Sequence, residues 1–213
     1  LAIGNQALYT NTTGEFNIAI GNSSLQFINT DDNTAIGFNS QSNNITGSEN
    51  VSLGKNSLIG NINGDGNTAV GNNSLAGGHS EYSTAVGYRA LVMNNSFNNT
   101  AIGSESMMTN TIGRANTAVG NSSLNSNING ENNTAIGINS LKLNSSGNNN
   151  TAVGSEATTM ANNLTNATAI GANAIVGDSN SMVLGSVSGF NGSFNDTKVG
   201  IGTVFPLERL HIV

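Results

Sequence analysis

Asn133-Thr134-Ala135-Ile136-Gly137-Ile138-Asn139-Ser140-Leu141 is the stretch whose reading decides the fold. Its pattern, Asn-Thr-Ala-Ile/Val-Gly, two variable residues, then Ser/Ala and Leu, recurs along the chain. The glycines fall at Gly4, Gly21, Gly37, Gly54, Gly71, Gly87, Gly103, Gly120, Gly137, Gly154, Gly171 and Gly185, spaced 16 or 17 residues apart except for a last step of 14. Spacing this regular marks a stacked repeat rather than a low-complexity tract. Each apolar stretch is three or four residues bounded by Asn and Gly, too short for a helical period and suited to a short strand.

Two apolar columns follow from the alignment. The residue before the glycine is always a branched aliphatic: Ile3, Ile20, Ile36, Leu53, Val70, Val86, Ile102, Val119, Ile136, Val153, Ile170 and Leu184. This column reads as core. Four residues after the glycine stand Leu8, Leu25, Leu58, Leu75, Leu91, Met107, Leu124, Leu141 and Ile175, with Gln41, Thr158 and Gly189 as exceptions, and this column also reads as buried. By strand alternation the alanines one residue earlier, such as Ala118 and Ala135, then face away from the core. They offer a flat, small-residue face to a partner chain. A unit of two short strands and two turns cannot bury its own aliphatics, so coils must stack. The expected fold class is all-β, a parallel β-roll or β-solenoid of about twelve coils, with the repeat glycines of Gly21 to Gly185 as structural turns.

Composition agrees. Of 213 residues, 40 are Asn, 25 Ser, 20 Thr and 27 Gly, residues that build turns, while only 8% are charged. A net charge of −6 is the wrong sign for a phosphate backbone, so nucleic acid is excluded as an expected partner. No Cys is present, hence no disulfide framework or thiolate metal site, which is compatible with an extracellular protein. The longest apolar runs are a few residues, so no membrane insertion is expected in this segment. Leu1 falls inside a repeat, as in an excised segment of a longer chain.

The Asn-Thr-Ala-Ile-Gly and Ser/Ala-Leu elements resemble the head repeats of trimeric autotransporter adhesins of the YadA type and similar repeats in bacteriophage tail fibres. The family's coils typically run at 14 to 15 residues, so a period of 16 to 17 departs from the pattern and implies longer turns. The ending Lys198 to Val213 looks like the Val-Gly-Ile-Gly-Thr-x-x-Pro-x-x-x-Leu-His segment that precedes a stalk or a self-cleaving chaperone domain in tail fibres. The resemblance implies a left-handed roll, three chains around one axis, and an extracellular location on a bacterial cell surface or virion tail fibre. It divides the chain into a repeat head, residues 1–188, and a connector, residues 189–213, leading to a stalk or chaperone domain not present in the chain.

Signs of chemistry are few. His79 and His211 are far apart in sequence, with no Cys or repeating carboxylate beside them to build a metal or triad constellation. Asp31-Asp32 and Asp65-Gly66-Asn67 read as turns rather than calcium loops. Gly200-Ile201-Gly202 lacks the further glycine and helix of a phosphate loop and reads as a strand boundary. Glu105 and Glu156 occupy one coil position three coils apart, about 14 Å at ~4.8 Å per coil, too far to share one glycosidic bond. No catalytic residue, cofactor or metal is expected. Tyr82, Tyr88 and Phe97 form a candidate binding patch, as exposed aromatics stack on sugars and anchor interfaces. Tyr9, Phe27 and Phe38 also interrupt the repeat. The expected function is structural and adhesive: a homotrimer presenting a surface to a receptor, glycan or matrix protein. The Thr column at Thr34, Thr68, Thr84, Thr100, Thr117, Thr134, Thr151 and Thr168 allows an ice-binding solenoid as an alternative, set against its place on the aliphatic side. A tailspike-like glycan hydrolase is the other alternative. The Asn column just before it, from Asn17 to Asn150, reads as a coil-to-coil ladder.

Overall fold

Thr-Ala-Ile/Val is a three-residue run with β-branched residues at its ends, favoured in extended backbone. In the computed structural model, which describes residues 1–201 and 205–212, every such run is a strand. They are β1 (Ala2–Ile3), β2 (Ile18–Ile20), β3 (Thr34–Ile36), β4 (Val51–Leu53), β5 (Thr68–Val70), β6 (Thr84–Val86), β7 (Thr100–Ile102), β8 (Thr117–Val119), β9 (Thr134–Ile136) and β10 (Thr151–Val153), continued by β12 (Thr168–Ile170) and β14 (Met182–Leu184). The twelve stack in chain order into one parallel sheet, giving a β-solenoid of about eleven turns. Register is strict: Thr134, Ala135 and Ile136 pair with Thr151, Ala152 and Val153. Among the described residues there is no helix.

Gly ends each strand because the backbone leaves it sharply. Gly120 has φ +133, and a Cβ there would stand 2.4 Å from the carbonyl oxygen of Gly137 in the next coil. Only glycine fits that conformation and that approach.

The two faces of the sheet are the reverse of the sequence expectation. The alanines point inward: Ala19, Ala35, Ala69, Ala85, Ala101, Ala118, Ala135 and Ala152 are all at 0% exposure. Opposite them lie Leu25, Leu58, Leu75, Leu124 and Leu141, also fully buried, so the lumen is one layer of Leu against Ala. The column before the glycine points outward. Leu53 is 47% exposed and Ile102, Ile136 and Ile170 are near 40%, while Ile20, Ile36, Val70, Val86, Val119 and Val153 are half-buried. The reason is alternation counted from the turn. Asn33, Asn50, Asn67, Asn99, Asn116, Asn133 and Asn150, two residues before each inward alanine or, at Asn50, before Ser52, place their side chains inside the coil, which fixes the small residue inward and its two flanking residues outward. A lumen already filled by Leu has room only for a methyl on the opposite wall.

The expected second strand of each coil is also corrected. Around Ser-Leu the chain is a run of turns, with left-handed residues two and four positions after the glycine: Asn139 has φ 55 and Leu141 φ 45, and the same holds for Ser122 and Leu124. A strand forms there only in the last coils, as β11 (Thr158–Thr159) and β13 (Ile175–Val176). Those are the two coils with a β-branched residue, Thr158 or Ile175, at the Leu position, and β-branched residues are the poorest in left-handed backbone. Leu, Met and Gln adopt it in the others.

The solenoid sheet ends at Leu184. Residues 186–197 fold into a loop whose ends are tied by Thr197 N–H donating to the Ser186 carbonyl (3.0 Å) and Ser186 N–H donating to Thr197 Oγ1 (2.9 Å). Beyond it β15 (Val199–Ile201) pairs in parallel with β16 (Leu210–Ile212). Gly202, Thr203, Val204 and Val213 of the sequence motif lie outside the described residues.

Candidate functional site

The feature that stands out is the outer face of the twelve-stranded sheet. Its side chains are the two outward columns, Thr and branched aliphatic, with Leu1, Ile18, Val51 and Met182 completing the Thr column at the coils that lack Thr. No charged, Asn or Ser side chain enters either column. Eleven spacings of ~4.8 Å make the face about 53 Å long. At roughly 10 Å wide it spans on the order of 500 Å², of which the aliphatic column and the Thr methyl groups are the apolar part. The Thr side chains are half-buried among their aliphatic neighbours and lie outside the coil, not within it.

Along the turns, departures from the repeat are answered one coil away. Lys55 Nζ lies over the Phe38 ring at 5.9 Å, and Arg114 over Phe97 at 5.7 Å. Arg114 also pairs with Glu131 at 3.0 Å, and Arg89 reaches Glu105 at 4.0 Å. Asn139 Nδ2 donates to Glu156 Oε1 at 2.6 Å. Glu105 and Glu156 therefore each have a neighbouring partner in the coil stack. Asp31 and Asp65 use their carboxylates to accept the backbone N–H of Glu15 and Ser48 in the preceding coil, both at 2.7 Å. His79 is exposed, and its backbone N–H donates to Asn95 Oδ1 at 3.0 Å. Among the described residues no group of three or more His, Asp or Glu converges on a point that could hold a metal ion.

The aromatic patch divides. Tyr82 and Phe97 stand on the same turn in adjacent coils, linked by the Glu81–Phe97 bridge, with the Tyr82 ring lying against Gly66 of the coil before. Tyr88 follows the strand Thr84–Val86 and sits past the opposite end of that strand from Tyr82. Tyr82 and Tyr88 are both more than half open to solvent in extent or close to it, at 61% and 50%. Phe27, Asn43, Ile45 and Ile62 line an open groove of about 430 Å³; of these the sequence patterns singled out only Phe27.

The Asn column is a ladder inside the coil: Asn133 N–H donates to Asn116 Oδ1 and Asn150 N–H to Asn133 Oδ1, both 2.9 Å. A second interior ladder escaped the sequence reading. At Asn11, Asn44, Asn61, Asn110, Asn127 and Asn144 the side chain closes a turn onto the residue three further on. Gly47 N–H donates to Asn44 Oδ1 at 2.8 Å while Asn44 Nδ2 donates to the Gly47 carbonyl at 3.0 Å. The available signal was Asn-x-x-Gly, repeated at 11–14, 44–47, 61–64, 110–113, 127–130 and 144–147.

No family model matches this chain. No curated protein and no solved structure shows significant similarity to it either.

Proposed function

We propose that this chain is a structural and adhesive segment of an extracellular homotrimeric fibre, a surface adhesin or a tail fibre. The observation that carries the reading is the long uncharged face of Thr and branched aliphatics on the outside of the sheet. Water-facing strands of a free solenoid have no need of twelve consecutive branched aliphatics, whereas a second copy of the same face is a complementary cover for them. The number three, and left-handed coils, come from the resemblance of the repeats to YadA-type heads. With that face turned to the axis, the turn edges bearing Tyr82, Phe97 and the groove at Phe27 point outward to a receptor, glycan or matrix protein. The chain acts by presentation and not by catalysis. The test is a double variant, Ile102→Lys/Ile136→Lys, compared with wild type by chemical cross-linking: the trimer band is lost while the β signal of circular dichroism persists. Tyr82→Ala and Phe97→Ala then report attachment on glycan and matrix-protein panels without changing assembly.

One observation favours a second reading. Eight threonines at a constant register on an outward sheet face are the arrangement expected of an ice-binding face, and their outward placement removes the objection that they line the core. The two readings use the same surface and exclude each other. Inhibition of ice recrystallisation by a folded monomer, abolished by Thr117→Lys, selects the ice reading.

A further inference from the structure

The repeat has one interior layer that breaks both of its buried columns at once. Gln41 is the one amide in the Leu column, and Ser52 is the one hydroxyl in the Ala column. Both are fully buried and they meet, Gln41 Nε2 donating to Ser52 Oγ at 2.9 Å and to the Thr34 carbonyl at 2.9 Å. Gln41 Oε1 accepts from Asn44 Nδ2 at 3.3 Å, and Ser52 is also hydrogen-bonded to Ser40. On one side lies the apolar cluster of Ala19, Leu25, Ile28 and Ala35, and on the other the long cluster that begins at Leu58 and Ala69.

We propose that Gln41 and Ser52 form a register key that prevents neighbouring coils from stacking out of order. The hazard is built into the repeat. Thr34-Ala35-Ile36 of β3 fits Thr68-Ala69-Val70 of β5 as well as it fits its native partner Val51-Ser52-Leu53 in β4, and extruding one coil as a loop costs entropy that grows only slowly with length. In that slipped stack Gln41 faces Ala69: its amide keeps the Thr34 carbonyl but loses the Ser52 hydroxyl, and its second N–H is left with only a long contact of the kind it makes to the Asn50 carbonyl at 3.4 Å, now supplied by Asn67. A buried donor held by only a long, weak acceptor is penalised more than a satisfied pair is rewarded, so the wrong register is disfavoured while the right one gains little. This is the role a single buried polar residue plays in fixing coiled-coil register.

Disulfide reporters test it, on a chain with no cysteine of its own. Phe38 and Lys55 are neighbours in adjacent coils, so Phe38→Cys/Lys55→Cys reports the native stack. Phe38 and Asn72 are two coils apart, about 9.6 Å, beyond the ~7 Å Cα separation a disulfide spans, so Phe38→Cys/Asn72→Cys closes only if the coil between has slipped out. Refolded under oxidation with Gln41 and Ser52 present, the first pair closes and the second does not. In the Gln41→Leu/Ser52→Ala background, which restores the repeat, the protein still folds and melts no lower, but the slipped 38–72 cross-link rises at least about tenfold. Ser52→Ala alone melts below both. A 38–72 cross-link unchanged by the double substitution, or a double variant less stable than Ser52→Ala, overturns the proposal.

Discussion

Replacing Ala118 by Leu and, separately, Val119 by Ala probes which side of the sheet faces the lumen. Ala118 is fully buried between Ala101 and Ala135 in neighbouring coils, with the Leu124 layer as part of the same core cluster. Three further carbons in a layer with no spare volume force side chains off their rotamers or push strands apart. Overpacking of this kind costs about 3 kcal/mol or more. Val119 stands on the outer face, half-buried. Removing two carbons half-covered within the single chain, at ~0.8 kcal/mol per buried carbon, costs about 1 kcal/mol, rising to about 1.6 kcal/mol where further copies cover the face, still well below the Ala118→Leu penalty. Urea denaturation followed by circular dichroism measures both. The opposite arrangement, aliphatics inside and alanines outside, makes Ala118→Leu nearly neutral and Val119→Ala the severe change. Finding Ala118→Leu within about 0.5 kcal/mol of wild type would refute the packing described above.

Gly120→Ala sets a methyl against the Gly137 carbonyl at a φ that L residues avoid, and is expected to cost about 3 kcal/mol or more, seen as loss of cooperative unfolding or of folded yield. Leu141→Ile keeps volume and burial but asks a β-branched residue to hold φ 45, a loss of about 2 kcal/mol in the same urea assay. Ile175→Leu, at the equivalent position in an extended coil, stays within about 1 kcal/mol of wild type. Arg114→Ala removes a partly exposed ion pair and a ring contact, and changes stability by no more than about 1 kcal/mol, with the difference shrinking at high salt.

The repeat period, the strand positions and the parallel stack were all legible, because Thr-Ala-Ile-Gly recurs with little variation and each element carries its own propensity. The direction of the strand was not. Alternation says only that Ala135 and Ile136 lie on opposite sides, and hydrophobicity assigns the larger one to the core. What decides it is Asn133, whose amide serves the lumen rather than the outside turn. The second segment was misread as a strand because left-handed backbone at Leu is uncommon. The contrast between Leu141 and Ile175 at one alignment position was the signal for it. Of the aromatic patch, Tyr82 and Phe97 fall together because they lie about one coil apart in sequence. Tyr88 does not, since a strand separates it from that turn.

The outer face of the solenoid carries unbroken columns of Thr and branched aliphatics, and in the proposed fibre further copies of the same chain cover them. Sedimentation equilibrium tests this most directly. A mass near three times 21.6 kDa, reduced to a single chain by Ile102→Lys/Ile136→Lys, is the predicted result. A folded wild-type chain that sediments at 21.6 kDa at all concentrations contradicts it.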